Sequence, residues 1–248
     1  MSIDSEHELA GMKAAGAVVS RALREMKAAV RPGITTRELD EICGAVMRAE
    51  KARSGPSMVY DFPGNACISV NDEVVHGVPG DRRLQDGDVV KLDVTLEKDG
   101  FMADAAVSVA VGDVSSAARR LIRCTEEAFS EAMKSARAGN KLRDIGRAVE
   151  SVVRRYGFSV VRELSGHGIG RTIHEEPSVP NYDEPRVTET LTKGLVITVE
   201  PIIAAGRGDV FTAGDRWTVK THDRKLAAHY EHTIVITEGE PLIVTASA

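Results

Sequence analysis

The chain has 248 residues, enough for one large domain or two small ones, and its 42% hydrophobic, 28% charged make-up is that of a soluble globular protein. A net charge of −5 without a basic block argues against nucleic-acid binding as the main task. The cysteines Cys43, Cys67 and Cys124 are scattered and odd in number, no apolar run reaches membrane-spanning length, and residues 1–7 are polar, so a reducing, cytoplasmic setting is expected and neither a disulfide framework nor a structural zinc site is.

Ser5-Glu6-His7-Glu8 reads as a capping box ahead of a helix, in which Leu9, Met12, Gly16, Val19, Leu23 and Met26 recur at helical spacing. Arg31-Pro32-Gly33 stops it. Thr35-Thr36-Arg37-Glu38 caps a second helix with Leu39, Ile42 and Val46 on its inner face. Gly55-Pro56 opens a stretch of short strands that includes Ala66-Cys67-Ile68-Ser69-Val70. Residues 89–111 form a predicted β-hairpin around a Lys98-Asp99-Gly100 turn. A third helix starts near Ser115-Ser116 and carries Leu121, Ile122, Phe129 and Met133; a fourth carries Leu142, Ile145, Val149, Val152 and Tyr156. From Phe158 onward strands and loops dominate, residues 194–200 and 230–236 being the clearest strands.

The hairpin bears two carboxylates. With Lys98 and Asp99 as the tight-turn pair, Asp93 lies directly opposite Asp104; with Asp99 and Gly100 as the pair, the two are diagonal neighbours. Either way they share a face, because side chains alternate with period two. Like charges so placed destabilise a sheet and, when buried, require a cation. A solvent-facing acidic pair is the plain alternative.

The order helix, helix, strands occurs twice. Arg31-Pro32-Gly33 aligns with Arg137-Ala138-Gly139 at an offset of 106 residues, and Asp93, six after Gly87, aligns with Glu200, six after Gly194, at an offset of 107. His76-Gly77-Val78-Pro79 is likewise similar to His174-Glu175-Glu176-Pro177. The agreement predicts one domain over residues 1–248 with pseudo-two-fold halves, about 1–112 and 113–248. One sheet would be formed from both halves, with helices on one face and a central site.

Three further residues join the two aspartates as candidate metal ligands. His167 is flanked by glycines that leave its ring accessible. Glu200 ends a buried apolar strand, where a carboxylate needs a partner, and Glu231 heads another. Four carboxylates and one imidazole balance two divalent cations if two of the carboxylates bridge. An oxygen-rich set favours Mn, Fe or Co, with Zn still possible. Two such ions about 3.5–4 Å apart would share and acidify a water, which is hydrolytic machinery.

Along almost its whole length the chain resembles the type I methionine aminopeptidases. The resemblance is carried by Cys67-Ile68-Ser69-Val70-Asn71 with His76-Gly77-Val78-Pro79, Asp86-Gly87-Asp88 to Asp93-Val94, and Asp99-Gly100-Phe101 with Asp104. It continues through Gly166-His167-Gly168-Ile169-Gly170 with His174-Glu175-Glu176-Pro177, then Thr198-Val199-Glu200-Pro201, and ends in Trp217-Thr218-Val219-Lys220-Thr221 with Tyr230-Glu231-His232-Thr233. It implies the α/β pita-bread fold, with a curved, largely antiparallel central sheet and helices outside. It also implies removal of the initiator methionine from nascent polypeptides whose second residue is small, a rule that Met1-Ser2 fits. By the resemblance Asp93 chelates one metal, His167 and Glu200 hold the other, and Asp104 and Glu231 bridge. His76 then bonds the scissile amide nitrogen and His174 the carbonyl side. Glu200 accepts the proton of the attacking water and later donates to the leaving amine. Phe62, Cys67, Ile173 and Trp217, with His76 at the edge, form the methionine pocket. Core packing is the plain alternative for Phe62 or Ile173.

Departures from the family pattern are Ala105-Ala106 after Asp104, where polar residues are usual, and Ile173 and Val59, where aromatics often stand. They leave the hydrogen-bonding around Asp104 and the breadth of the pocket open. Two other readings of the same fold are a non-catalytic peptide- or protein-binding relative and a prolidase or aminopeptidase-P type X-Pro hydrolase. All five ligands are present, which opposes the first. The second generally needs a large extra N-terminal domain. The expected partners are nascent N-termini, with possible docking on the ribosome, no membrane and no specific nucleic acid; a monomer is expected.

Overall fold

The computed structural model describes residues 1–246. Helix α1 spans Glu6–Ala29 and α2 spans Thr36–Ala49. At α2 the capping box is complete: Thr35 Oγ1 accepts from the Glu38 N–H and Glu38 accepts from the Thr35 N–H. At α1 it is half made. Ser5 caps Glu8, but the Glu8 carboxylate accepts from Asp4 N–H instead of Ser5.

Next come β1 (Arg53–Ser54) and a short helix α3 (Gly55–Tyr60) where strands alone were expected. Pro56 is compatible with helix there because the first turn leaves its N–H positions unpaired anyway. Ser54 caps the start, and Asp61, in the left-handed region at φ 58°, ends it. Strands β2 (Cys67–Val70), β3 (Glu73–Val75), β4 (Val89–Lys98) and β5 (Phe101–Ala110) complete the first half. Helices α4 (Ser116–Met133) and α5 (Leu142–Tyr156) open the second. They are followed by β6 (Ser159–Val160), β7 (Ser165–Gly168), β8 (Glu175–Pro180), β9 (Val196–Val199), β10 (Ile202–Ala204), β11 (Val210–Thr212), β12 (Val219–Thr221), β13 (Ala227–His229), β14 (Glu231–Val235) and β15 (Leu242–Ile243).

The main sheet runs β1-β4-β5-β14-β9-β7-β8, with β2 added to β4 and β15 to β14; two three-stranded sheets, β13-β10-β6 and β11-β12-β3, flank it. Every ladder between these strands is antiparallel. The strands β5 and β14 join the two halves at the centre. Leu92, Val94, Leu96, Ala103 and Ala105 point to the helix side, where Met12, Val19 and Met26 of α1 and Leu39 and Val46 of α2 meet them in one buried cluster. Each such large side chain contributes about 1.5–3 kcal/mol on burial. A second cluster joins α4 and α5 to β9 and β14 through Leu121, Ile145, Val149, Ile197 and Ile234.

The matched segments of the two halves share backbone conformation. Gly33 (φ 89°) and Gly139 (φ 92°) precede α2 and α5, and Gly87 (φ 92°) and Gly194 (φ 86°) stand six residues before Asp93 and Glu200. No described helix is long and apolar enough to cross a membrane.

Candidate metal centre and active site

The register of the hairpin sets the site. Lys98 pairs with Phe101, so Asp99-Gly100 is the turn and the diagonal alternative holds: Asp93 lies opposite Ala106 and Thr95 opposite Asp104. Opposed residues share a face, so Asp93, Thr95, Asp104 and Ala106 line the side away from the helices. Cys67 joins them opposite Asp93, and Glu231 opposite Ala106. Of the two alanines after Asp104, Ala105 therefore packs into the helix layer, and only Ala106 stands on the site face.

The other half supplies His167 from β7 and Glu200 just past the end of β9, the His167 Nε2 lying 3.7 Å from Glu200 Oε1. Donor atoms of Asp104, His167 and Glu231 all lie within 4.8 Å of one another. His167 sits on a strand, and its flanking glycines serve close approach rather than mobility. A Cβ at Gly166 would meet the Thr198 carbonyl oxygen at 2.5 Å, and one at Gly168 the Glu176 carbonyl oxygen at 2.2 Å. The ring is aimed from behind: Nδ1 is 2.9 Å from the Gly168 carbonyl, so with the proton on Nδ1 the Nε2 lone pair faces the carboxylates. Thr198 links the two ligands, accepting from the His167 N–H at 3.0 Å and donating to Glu200 at 2.9 Å. Thr233 brackets the Asp104 backbone, accepting from its N–H and donating to its carbonyl.

Glu200, Glu231 and Asp104 are buried. Burial, and then the neighbouring Asp104 charge, pushes the carboxyls of Asp93, Glu200 and Glu231 well above the carboxylate range. Burial raises Asp104 to about 6. Burial lowers the imidazole of His167 to about 4. Asp104 Oδ1 and Glu231 Oε1 are buried without a hydrogen-bond partner. A cluster of clashing, under-bonded carboxylates facing a neutral imidazole suits hard divalent cations.

Above this floor opens a cavity of about 180 Å³ whose lining includes all eleven predicted site residues. Phe62 and Trp217 meet edge to face, with centroids 5.2 Å apart, and Ile173 and Cys67 complete an apolar wall. The His167 and His174 rings are 4.3 Å apart. His76 follows β3 in the left-handed region, at φ 56°, a conformation rare for a non-glycine residue and one that turns the chain at the cleft. Val59, expected in the pocket, is exposed and is not among the residues that line it.

Two residues of the site escaped sequence reasoning. Tyr60, on the unexpected α3, reaches His174. His229 is buried beside Glu200 and Glu231, and burial lowers its imidazole to about 3. Its place two residues before Glu231 was the available signal.

The chain matches metallopeptidase family M24 over residues 10–238. It is 42% identical over 247 residues to methionine aminopeptidase 2 of Bacillus subtilis, covering 99% of each chain. It is 41% identical over 247 residues to methionine aminopeptidase of Escherichia coli, covering 99% of this chain and 94% of that one. It superposes on the crystal structure of methionine aminopeptidase from Rickettsia prowazekii with a TM-score of 0.95 at 38% identity, covering 99% of this chain and 100% of that one. The fold is accordingly the pita-bread fold of these enzymes, and the chain belongs to metallopeptidase family M24, among the methionine aminopeptidases.

Proposed function

We propose that the cleft binds the free N-terminus of a nascent polypeptide and hydrolyses the bond after its methionine when the second residue is small. The observation that carries this reading is the set of buried, mutually repelling carboxylates and a neutral imidazole at the floor of an apolar cleft. Asp93 would hold one divalent cation, His167 and Glu200 a second, and Asp104 and Glu231 both. The oxygen-rich set favours Mn, Fe or Co over Zn. When bound, such cations supply Lewis-acid activation of water and of the scissile carbonyl.

The chain's own groups do the rest. Glu200, steadied by the Thr198 hydroxyl, takes a proton from the attacking water and returns it to the departing amine. His174 hydrogen-bonds the carbonyl oxygen as charge develops on it, and His76 the amide nitrogen. Phe62, Cys67, Ile173 and Trp217 enclose the methionine side chain. The reading takes residues 1–248 as one catalytic domain of two like halves, acting in the cytoplasm as a monomer on chains at the ribosome. Hydrolysis of Met-Ala-Ser, assayed beside an X-Pro dipeptide panel, tests the activity. Release of free methionine from the first alone is expected; cleavage of the X-Pro panel instead would reject the reading. Sedimentation with and without ribosomes tests the docking: co-sedimentation supports it, and a protein left in the supernatant removes it.

A further inference from the structure

His229 is a buried polar side chain with no assigned task. Its neighbours Ala227 and Ala228 are wholly buried, and it is itself 2% exposed. Neither ring nitrogen has a hydrogen-bond partner among the described residues. Buried imidazoles are nearly always bonded, so a ring with both nitrogens unpaired marks something incomplete. Its Nε2 lies 3.3 Å from Glu231 Oε2 and 3.8 Å from Glu200 Oε2. The backbone cannot swing the ring elsewhere: the Ser108 hydroxyl accepts from the His229 N–H and donates to the His229 carbonyl, each at 2.9 Å, and His229 pairs with Ile202 across β10 and β13.

We propose that His229 is a positioning residue that donates its Nε2–H to the carboxylates of Glu231 and Glu200 and so fixes how those two glutamates face the metal centre. This rests on the ligand reading given above. His229 lies outside the five residues read above as ligands, and its Nε2 stands within reach of two of them, which makes donation to those carboxylates its role. Donor atoms of His229, Glu200 and Glu231 lie within 4.8 Å of one another, and Glu231 also belongs to the group with Asp104 and His167. A donor at that place keeps each carboxylate turned toward a cation and makes it a better ligand, a role whose loss typically weakens metal binding 10–100-fold.

The test compares full-length wild type, His229→Ala and His229→Gln. Each is stripped of metal, titrated with Mn(II) by calorimetry, and loaded with Co(II) for its visible absorption spectrum. Glutamine keeps an N–H donor but is a poor ligand for these ions. His229→Ala should bind the same number of Mn(II) ions 10–100-fold more weakly. His229→Gln should recover most of that affinity, and both variants should keep the Co(II) band positions at saturation. Unchanged affinity in His229→Ala would reduce His229 to packing. Loss of one ion and shifted Co(II) bands in His229→Gln would make it an inner ligand. Either result overturns the proposal. If His229→Ala does not fold by circular dichroism, His229→Met, similar in volume and without a donor, takes its place with the same expectations. Wild type that binds no Mn(II) would instead reject the metal-centre reading itself.

Discussion

The Tyr60 hydroxyl lies 2.6 Å from His174 Nδ1. With the hydroxyl as donor, the single ring proton of neutral His174 stands on Nε2, the nitrogen left to reach a substrate. Burial lowers the His174 pKa, which keeps the ring neutral. Tyr60→Phe should release this constraint at a cost of about 0.5–1.5 kcal/mol, roughly a 3–10-fold fall in kcat with less change in KM. Steady-state kinetics on Met-Ala-Ser at full metal loading checks it, and a wild-type kcat would remove Tyr60 from the mechanism.

Stability should depend on pH in opposite ways with and without metal. In the metal-free protein Asp104 is raised to about 6, and Asp93, Glu200 and Glu231 rise further. The unfolded chain releases these protons near pH 4 (about 3.9 for Asp and 4.3 for Glu), so between there and the raised values the folded state holds more protons than the unfolded one. The contribution of these carboxylates therefore falls as pH rises from about 4 through 6 and beyond, while the lowered imidazoles of His167 and His229 contribute the opposite slope below about 6.5, so a net fall in the metal-free protein is expected above that pH. A bound cation favours the charged carboxylates and should cancel or invert that slope. Melting temperatures of chelated and Mn(II)-saturated protein between about pH 6.5 and 8, above the histidine range, would show it, and a chelated protein whose Tm rises through this range would contradict the buried-carboxylate account.

Metal binding and catalysis should separate by residue. Chelation should abolish peptidase activity, and Mn, Fe or Co should restore it. Asp104→Ala and Glu231→Ala should lose both metal and activity. His76→Ala and His174→Ala should keep metal and lose turnover, each by about 2.7–4 kcal/mol if the donor acts in the transition state. Elemental analysis beside kcat for the four variants checks this; metal lost with either histidine would make that residue a ligand.

The pocket should accept methionine and select a small second residue. Met-Ala, Met-Gly and Met-Ser peptides should be cleaved, and Met-Lys and Met-Leu poorly. A methionine side chain buried against Phe62 and Trp217 contributes about 1.5–3 kcal/mol, enough for preference but not for absolute choice. Ile173, buried in the wall where an aromatic often stands, should widen the first pocket toward Leu and Phe. An X-Ala-Ser panel read by kcat/KM for wild type and Ile173→Phe decides it. If the substitution did not sharpen the preference for methionine, breadth would be set elsewhere in the wall.

Much of this could be read from the residues because the signals were local. Period-two alternation put Asp93 and Asp104 on one face whichever turn closed the hairpin, and Thr35 with Glu38 fixed the start of α2. Helix α3 was missed because Gly55-Pro56 reads as a breaker, whereas a proline in the first turn breaks nothing. Missing α3 hid Tyr60 and misplaced Val59. His229 offered one local signal, Glu231 two residues on, and was missed because its other partners are distant in sequence: Ser108 holds it and Glu200 faces it, and neither proximity has a sequence period. The glycines around His167 were read as freedom when they are sites of backbone contact with β9 and β8, a demand visible only once the strands are placed.

The candidate ligands begin at Asp93 and end at Glu231, on strands drawn from both halves of the chain and meeting where β5 pairs with β14. No shorter stretch can assemble them, so during synthesis a copy of this protein has no working centre until residue 231 has been made and the sheet has closed. A chain still short of Glu231 thus cannot act on any N-terminus, its own included.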